Sequence, residues 1–308
     1  MAFDAKNAAP DFFVVGAAKA GTTAVWSWLR QHPGVFLPDI KEPSFFAFEG
    51  RSTTPRNGPY DKDYVRRLFN SREQYAALFA EADGKVSGDV SPVYLSDERA
   101  PNRIARARPD ARILILLRDP VDRAYSQYMH HRRDGLEPCA TFEAALKAEA
   151  SRIEDGWSWG HGYLKGGQYA SQVATYLKLF EPSQILILDY AQLQEDPVLC
   201  WQQICRHFRV SQLPMPQNDR VNQTANLRGV PRFQLIERII RHPGRVQQRL
   251  KALIPETLRR RTRSLLSRWT AAVEPMAPQT RDKLAVQFAS DRDWLRKNTD
   301  LHLSEWSD

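Results

Sequence analysis

The sequence predicts an α/β fold: a P-loop-like central parallel sheet flanked by helices, with helical additions toward the C-terminus. Three observations carry this expectation. Short apolar runs alternate along the chain with helix-period patterns, as parallel strands and their crossovers require. One run, Ile113 to Leu117, is continuously apolar, the signature of a strand buried on both faces. The first apolar run ends in a small turn containing glycine, GAAKAGTT over 16–23, that leads directly into a helix. At 308 residues, 42% apolar and 26% charged, the chain has the composition of a folded protein. It is long enough to bury one full core, so a single domain over 1–308 is expected.

The elements follow in order. DFFVVGA (11–17) reads as the first strand. TTAVWSWLRQHP (22–33) reads as a helix, with Ala24, Val25, Trp28 and Leu29 on one stripe and Pro33-Gly34 as the stop. GVFLP (34–38) reads as a short strand before the loop DIKEPSFFAF. Residues 61–80 read as helical and KVSGDV (85–90) as a strand. ARILILLRDP (111–120) is the central strand, and Pro120 stands in the first turn of a helix to about His131, where its missing N–H costs little. QYASQVATYLKLF (168–180) is an amphipathic helix, and QILILDY (184–190) repeats the buried-strand pattern. DPVLCWQQICRHF (196–208) is a helix capped by Asp196 with Pro197 at its first position. A loop rich in Pro, Asn and Gln covers 211–231, and PQTRDKLAVQFASDRDWLRKN (278–298) forms the closing helix.

The net charge of +8 is unevenly placed. Between Arg228 and Arg268 twelve basic residues face two acids, Glu237 and Glu256, a local excess of +10. The rest of the chain is near neutral, which argues against a nucleic-acid binder with its charge spread over one face. Residues 232–270 thus form a basic helical segment within the domain, with Phe233, Ile236, Ile239 and Ile240 on one apolar stripe and Leu250, Leu253 and Ile254 on another. Two readings stand: a hairpin packed on the core with a solvated basic face, or a peripheral contact with an anionic membrane. No run reaches the roughly 18 apolar residues of a membrane span, and the N-terminus lacks the apolar core of a secretory signal. Cys139, Cys200 and Cys205 have neither metal nor disulfide spacing, and the two in VLCWQQICRHF read as helix packing. These features point to the cytoplasm, with or without peripheral membrane contact. Oligomeric state has no readable signal.

Two segments carry chemistry. In GAAKAGTT, Gly16 and Gly21 have the spacing of the nucleotide-triphosphatase loop G-x-x-x-x-G-K-[ST], but Thr22 replaces its lysine and Lys19 has moved into the loop. Free N–H groups at the helix start, the Lys19 charge and the Thr22 and Thr23 hydroxyls suit an anion. The alternative is a small-residue turn that binds nothing. In RDPVDRAYS, Arg118 lies at the carboxyl end of the central strand and Ser126 on the next helix. Open α/β sheets bind ligands at that edge, and a guanidinium with a hydroxyl suits a phosphate dianion. The alternative is a local ion pair of Arg118 with Asp119 or Asp122.

Together with KEPSFF (41–46), GQYASQVATYLKLF, QILILDYAQLQEDP and SDRDWLRKN…LSEW, these motifs resemble, in order and spacing, those of sulfotransferases dependent on 3′-phosphoadenosine 5′-phosphosulfate (PAPS). The similarity is greatest to bacterial members and to the glycosaminoglycan O- and N-sulfotransferases, and it covers nearly the whole chain. It implies an enzyme that moves a sulfuryl group to a hydroxyl or amine of a sugar, lipid or secondary metabolite, in line and without a metal, leaving 3′-phosphoadenosine 5′-phosphate. It implies that Lys19, Ala20, Gly21, Thr22 and Thr23 hold the 5′-phosphosulfate, with Lys19 stabilising the leaving oxygen. Arg118 and Ser126 would hold the 3′-phosphate, Arg228 and Gly229 of NLRGVPR would cover it, and Tyr169 would lie near the adenine. The alternative for Tyr169 is helix-face packing.

The same resemblance assigns the catalytic base to Glu42, with Lys41 as an electrostatic helper; the alternative is an exposed Lys–Glu loop pair. Histidine is the competing base, as in small-molecule members of the family. His130 and His131 read as a solvated helix end, and His32 as structural. One departure concerns the acceptor: where glycosaminoglycan enzymes carry a lysine in an E-K-[ST] segment, this chain has D89-V90-S91-P92, which argues against a polyanionic, heparan-like acceptor. Two other functions compete. A nucleotide kinase would need Mg²⁺ and a lysine at 22, and a membrane-associated nucleotide-binding module would work through the basic helices.

Overall fold

Five parallel strands order the molecule. The computed structural model describes residues 9–216, 230–231, 270–271, 275–301, 303 and 306. Strand β1 (Phe12–Gly16) is buried along its whole length, as its unbroken apolar sequence demands. β2 (Val35–Phe36), β3 (Val86–Val90), β4 (Arg112–Leu117) and β5 (Ile185–Asp189) complete the sheet in the order β2-β3-β1-β4-β5. Phe12 stands opposite Gly88 on one side and Arg112 on the other, and Ile113 to Leu117 run beside Ile185 to Asp189. The chain thus goes to one side of β1 for β2 and β3 and to the other for β4 and β5. That reversal opens a crevice between the carboxyl ends of β1 and β4, where sheets of this kind bind ligands.

The helices lie close to their expected places. Thr22–Leu29, Pro120–Arg133, Tyr169–Leu179, Pro197–His207 and Pro278–Asn298 are all formed. The expected helix over 61–80 is instead two short ones, Lys62–Val65 and Arg72–Ala77, capped by Asp61 and Ser71. Between them the Phe69 N–H donates to the Pro43 carbonyl at 2.9 Å, so a tertiary bond takes the backbone away from the helix. Helix Phe142–Glu154 is not among the expected elements. Its buried face is Phe142, Ala145, Glu149 and Arg152, half of it charged, so apolar periodicity cannot reveal it.

Most apolar residues pack around the sheet. A second cluster, including Val121, Tyr128, Phe142, Tyr163, Leu284 and Phe288, joins helices Pro120–Arg133, Phe142–Glu154 and Pro278–Asn298. The closing helix is further tied in by the Ala170 N–H, which donates to Asp291 at 2.7 Å. All three cysteines are free, and Cys200 and Cys205 are buried on their helix as expected. Among the described residues no helix is long and apolar enough to cross a membrane. The basic segment 232–269 lies outside the described residues; beside it, Val230–Pro231 pairs antiparallel with Thr270–Ala271.

Candidate active site

The turn after β1 is shaped by two left-handed residues. Gly21 has φ +92°, and a Cβ there would stand 2.6 Å from Leu193 and 3.2 Å from the Tyr190 ring, so both conformation and space require glycine. Lys19 adopts φ +71° despite its side chain. Glu42 (φ +60°) and Ser44 (φ +56°) share this strained region, so three of the five such non-glycine residues among those described belong to the two candidate loops. Strain of this kind persists where the surroundings over-determine a backbone, typically at functional sites.

Four separated segments converge here. The Arg118 guanidinium donates to the Lys19 carbonyl at 3.3 Å and lies 4.8 Å from the centre of the Tyr190 ring, which joins the second anchor to the first. Asp119 caps the following helix by accepting from the Val121 and Asp122 N–H groups, and Asp122 pairs with Arg281. Lys41 reaches across to donate to Thr23 Oγ1 at 2.7 Å while pairing with Glu42 at 3.0 Å. The two side chains of that pair are only about one-fifth exposed, so it is no free loop pair. Lys19, Gly21, Thr22 and Thr23 line one cleft of about 570 Å³ with Lys41, Glu42, Arg118 and Ser126. Ala20 is buried behind it, its N–H donating to the Ala17 carbonyl.

The electrostatics of this cleft favour an anion. Burial, then the nearby Arg133 and Arg118 charges, lower the Lys19 ammonium to about 8. Such crowding of like charge is relieved by a negatively charged ligand.

The remaining predicted residues are placed differently. Tyr169 is fully buried, its hydroxyl donating to the Arg118 carbonyl at 3.0 Å and its ring near Trp306. It props the backbone that carries Arg118 and is not among the residues lining the cleft, as helix-face packing would have it. His131 is no solvated helix end: it is buried, and burial followed by His161 and His130 holds it well below the usual histidine range. Tyr163 donates its hydroxyl proton to Glu137, so it accepts from His131 Nδ1–H, and Gln127 donates to Nε2. Both nitrogens are therefore engaged in a neutral ring. His130 is at the cleft. His32 is structural as expected, accepting from the Gly34 N–H and contacting the Ser211 carbonyl. Arg228 and Gly229 lie outside the described residues. Sequence reading missed Arg133, Tyr64, Tyr190 and Trp159, which also line the cleft.

A family model described as "Sulfotransferase domain" matches residues 9–228. The chain belongs to the sulfotransferase family. It is 31% identical over 208 residues to the human bifunctional heparan sulfate N-deacetylase/N-sulfotransferase 3, a match covering 65% of this chain and 22% of that protein. It is 29% identical over 192 residues to the mouse heparan sulfate glucosamine 3-O-sulfotransferase 6, covering 61% of this chain and 48% of the relative. The chain thus spans about a fifth and about half of these relatives. The crystal structure of a sulfotransferase from Alicyclobacillus acidocaldarius matches 98% of this chain and 100% of its own, with a TM-score of 0.74 at 29% identity.

In this member of the sulfotransferase family the KEPSFF loop hangs from a buried acid. Asp89 is fully buried and accepts from the hydroxyls of Ser91 at 2.6 Å, Tyr94 at 2.7 Å and Tyr75 at 2.8 Å. Ser91 Oγ in turn accepts from the Ser44 N–H at 3.0 Å, and Ser44 Oγ donates to the Glu42 carbonyl at 3.1 Å. Burial pushes Asp89 up to about 6 in spite of its three donors. The DVSP segment that departs from the glycosaminoglycan pattern therefore anchors KEPSFF.

Proposed function

We propose that the sulfotransferase uses PAPS as its donor and transfers the sulfuryl group to a hydroxyl or amine of a sugar, lipid or secondary-metabolite acceptor. What supports the reading is one observation above all: the phosphate turn, Arg118, Ser126 and the Lys41–Glu42 pair converge on one basic cleft at the carboxyl ends of β1 and β4. The relatives are named for N-sulfation and 3-O-sulfation of heparan sulfate, which supports an amine or hydroxyl on a sugar.

PAPS, when bound, supplies the activated sulfuryl group. Lys19 to Thr23 hold the 5′-phosphosulfate, and Arg118 with Ser126 hold the 3′-phosphate. Glu42 takes the proton from the acceptor as its oxygen or nitrogen bonds to sulfur. Lys19 stabilises the electron pair left on the phosphate oxygen as the S–O bond breaks, the charge-neutralising role that metals and lysines play in phosphoryl transfer. Lys41, bonded to both Thr23 and Glu42, sets the base at a fixed place relative to the donor.

Calorimetric titration tests the nucleotide. Adenosine 3′,5′-bisphosphate should bind without metal and tighter than adenosine 5′-phosphate or ATP with Mg²⁺; preference for ATP would instead support the kinase. Arg118→Ala should weaken the bisphosphate by about 10- to 100-fold, the loss expected for one charge-assisted hydrogen-bonding group, and adenosine 5′-phosphate far less. Equal losses for both would remove Arg118 from the 3′-phosphate.

Lys19 adds a pH signature. Its charge is present below about 8 and lost above, so a bound anion draws a proton onto it in the alkaline range. Bisphosphate affinity should be full below about 8 and decline as pH rises through it, with net proton uptake in paired buffers of different ionisation enthalpy. Affinity flat across that window would place Lys19 away from the phosphates.

A further inference from the structure

The loop that carries Glu42 is held at three consecutive residues, and all three holds lead to Asp89. The Ser44 N–H donates to Ser91 Oγ at 3.0 Å and the Phe46 N–H to Tyr94 Oη at 3.4 Å, while the Phe45 ring stacks on Tyr75 with 4.5 Å between centroids. Ser91, Tyr94 and Tyr75 are the same three residues whose hydroxyls donate to the Asp89 carboxylate. Asp89 in turn stands beside Phe13 of β1, and the Ser91 N–H donates to the Val14 carbonyl at 3.1 Å. The loop is thus fastened to the strand that runs into the phosphate turn.

The arrangement is costly. Glu42 and Ser44 both have positive φ, a conformation that persists only under outside constraint. The acid behind that constraint is fully buried, and its three donors are neutral hydroxyls. Burial outweighs those donors and raises the carboxyl, and the Glu42 charge adds to the rise. A raised carboxyl contributes stability that is lost as pH rises through its folded value, so the ionised form costs the fold stability at neutral pH. A buried charge retained against stability, at the root of a strained loop, marks a functional site.

Protonation has a definite consequence here. The titratable groups around Asp89 are Tyr75 and Tyr94, from two different helices, and Glu42, itself paired with Lys41. Burial pushes both phenols well above the usual tyrosine range, so they stay donors. The three donors favour the ionised carboxyl, and by linkage the ionised carboxyl favours the hydroxyls in their donating arrangement. A proton on Asp89 needs an acceptor among hydroxyls that already donate, so one of them must turn its own O–H away.

We propose that Asp89 is a positioning residue for transfer: through Ser91, Tyr94 and Tyr75 its carboxylate holds residues 44–46 and so sets Glu42 against the phosphate turn, and protonation of Asp89 releases that hold. This rests on the reading of Glu42 as the base.

The test uses the full chain with labelled PAPS and a panel of methyl glycosides, glucosamine disaccharides and desulfated heparin, of which the best accepted serves as acceptor. Asp89→Asn keeps the size of the side chain without the charge, and Ser91→Ala cuts one hold while leaving the acid with its two tyrosines. Each should lower kcat by about 10- to 100-fold, the loss that misplacing a reacting group by about an ångström brings. KM for PAPS and bisphosphate affinity should stay near wild type. In the wild-type chain kcat should fall as pH drops through about 6, and in Asp89→Asn that step should be missing. Amide exchange of the 42–46 stretch, which needs no acceptor, should be faster in both variants and in the wild type below that pH, after correction for the intrinsic rate. Unchanged kcat or exchange in both variants, or the same acid step in wild type and Asp89→Asn, would overturn the proposal. So would bisphosphate affinity falling together with kcat, the mark of a merely structural post. If Glu42→Gln keeps full turnover, the base reading falls and the proposal with it. If Glu42→Gln loses turnover while the Asp89 and Ser91 variants keep theirs, the positioning role alone falls.

Discussion

Glu42→Gln should lower turnover by about 10²- to 10⁴-fold, the range a positioned general base contributes, and leave bisphosphate affinity near wild type. Glutamine keeps the length of the side chain and an oxygen for Lys41 but cannot take a proton from the acceptor. The backbone that presents Glu42 is held independently of its carboxylate, through the Ser44 N–H on Ser91 and the Phe69 N–H on Pro43. The substitution therefore separates chemistry from folding and from donor binding. Turnover is read with saturating PAPS and any accepted sugar, and nucleotide affinity by calorimetry. Unchanged turnover would return the base to a histidine. His130 and His161 would then be the candidates at the cleft, because His131 has both nitrogens engaged.

The largest loss of stability is expected at Glu137. Its carboxylate accepts from both Arg152 terminal nitrogens at 2.8 Å, from the Cys139 N–H at 2.7 Å and from the Tyr163 hydroxyl at 2.7 Å. The Arg152 and Glu137 side chains are 5% and 0% exposed, so removing either leaves a buried charge uncompensated. Glu137→Ala should cost about 3–5 kcal/mol, the usual penalty for breaking such a pair, measured as a shift of the denaturant midpoint. A loss under about 1 kcal/mol would class the pair with solvent-screened surface bridges.

The pH sign follows from the same contacts. Burial alone would raise the Glu137 carboxyl, but the hydrogen bonds from Arg152, Tyr163 and Cys139 outweigh it and hold it below 4.5. Its contribution is present above 4.5 and is lost as pH falls through the lower folded value. In Glu137→Ala this part of the acid sensitivity should disappear. Because Arg152 also lies over the Trp157 ring at 4.6 Å, the same pair supports the stretch 158–161 that lines the cleft.

What was legible in the sequence is what is local. The phosphate turn could be read because its glycine spacing, its lysine and the helix after it lie within eight residues. β1, β4 and β5 could be read because a parallel strand buried on both faces has no polar positions to blur the pattern. Arg118 and Ser126 followed from their offset to β4, since strand ends in such sheets face the ligand crevice. The aromatic pair and the charges of KEPSFF were visible too, although nothing in the string says that Lys41 bonds to Thr23.

Only the tertiary structure decided the rest, because it depends on residues far apart in the chain whose roles are set by burial. Tyr169 has the right residue type for a nucleotide contact, yet packing turns it under Arg118. Asp89 reads as a polar residue in a short strand, and folding makes it the buried post on which the KEPSFF loop hangs through Ser91 and Ser44. Glu149 and Arg152 hide a helix from hydropathy because their partners, the Leu164 and Lys165 N–H groups and Glu137, pay for burying them. Tyr64, Trp159, His161 and Gln172 come together only when helix and loop segments about a hundred residues apart close on one cavity. The phosphate turn and Arg118 are thus written in local spacing, which a turn and a strand end translate directly into geometry. Which polar atoms the completed core leaves without a partner depends on segments far apart in the chain, and no stretch of sequence contains that by itself.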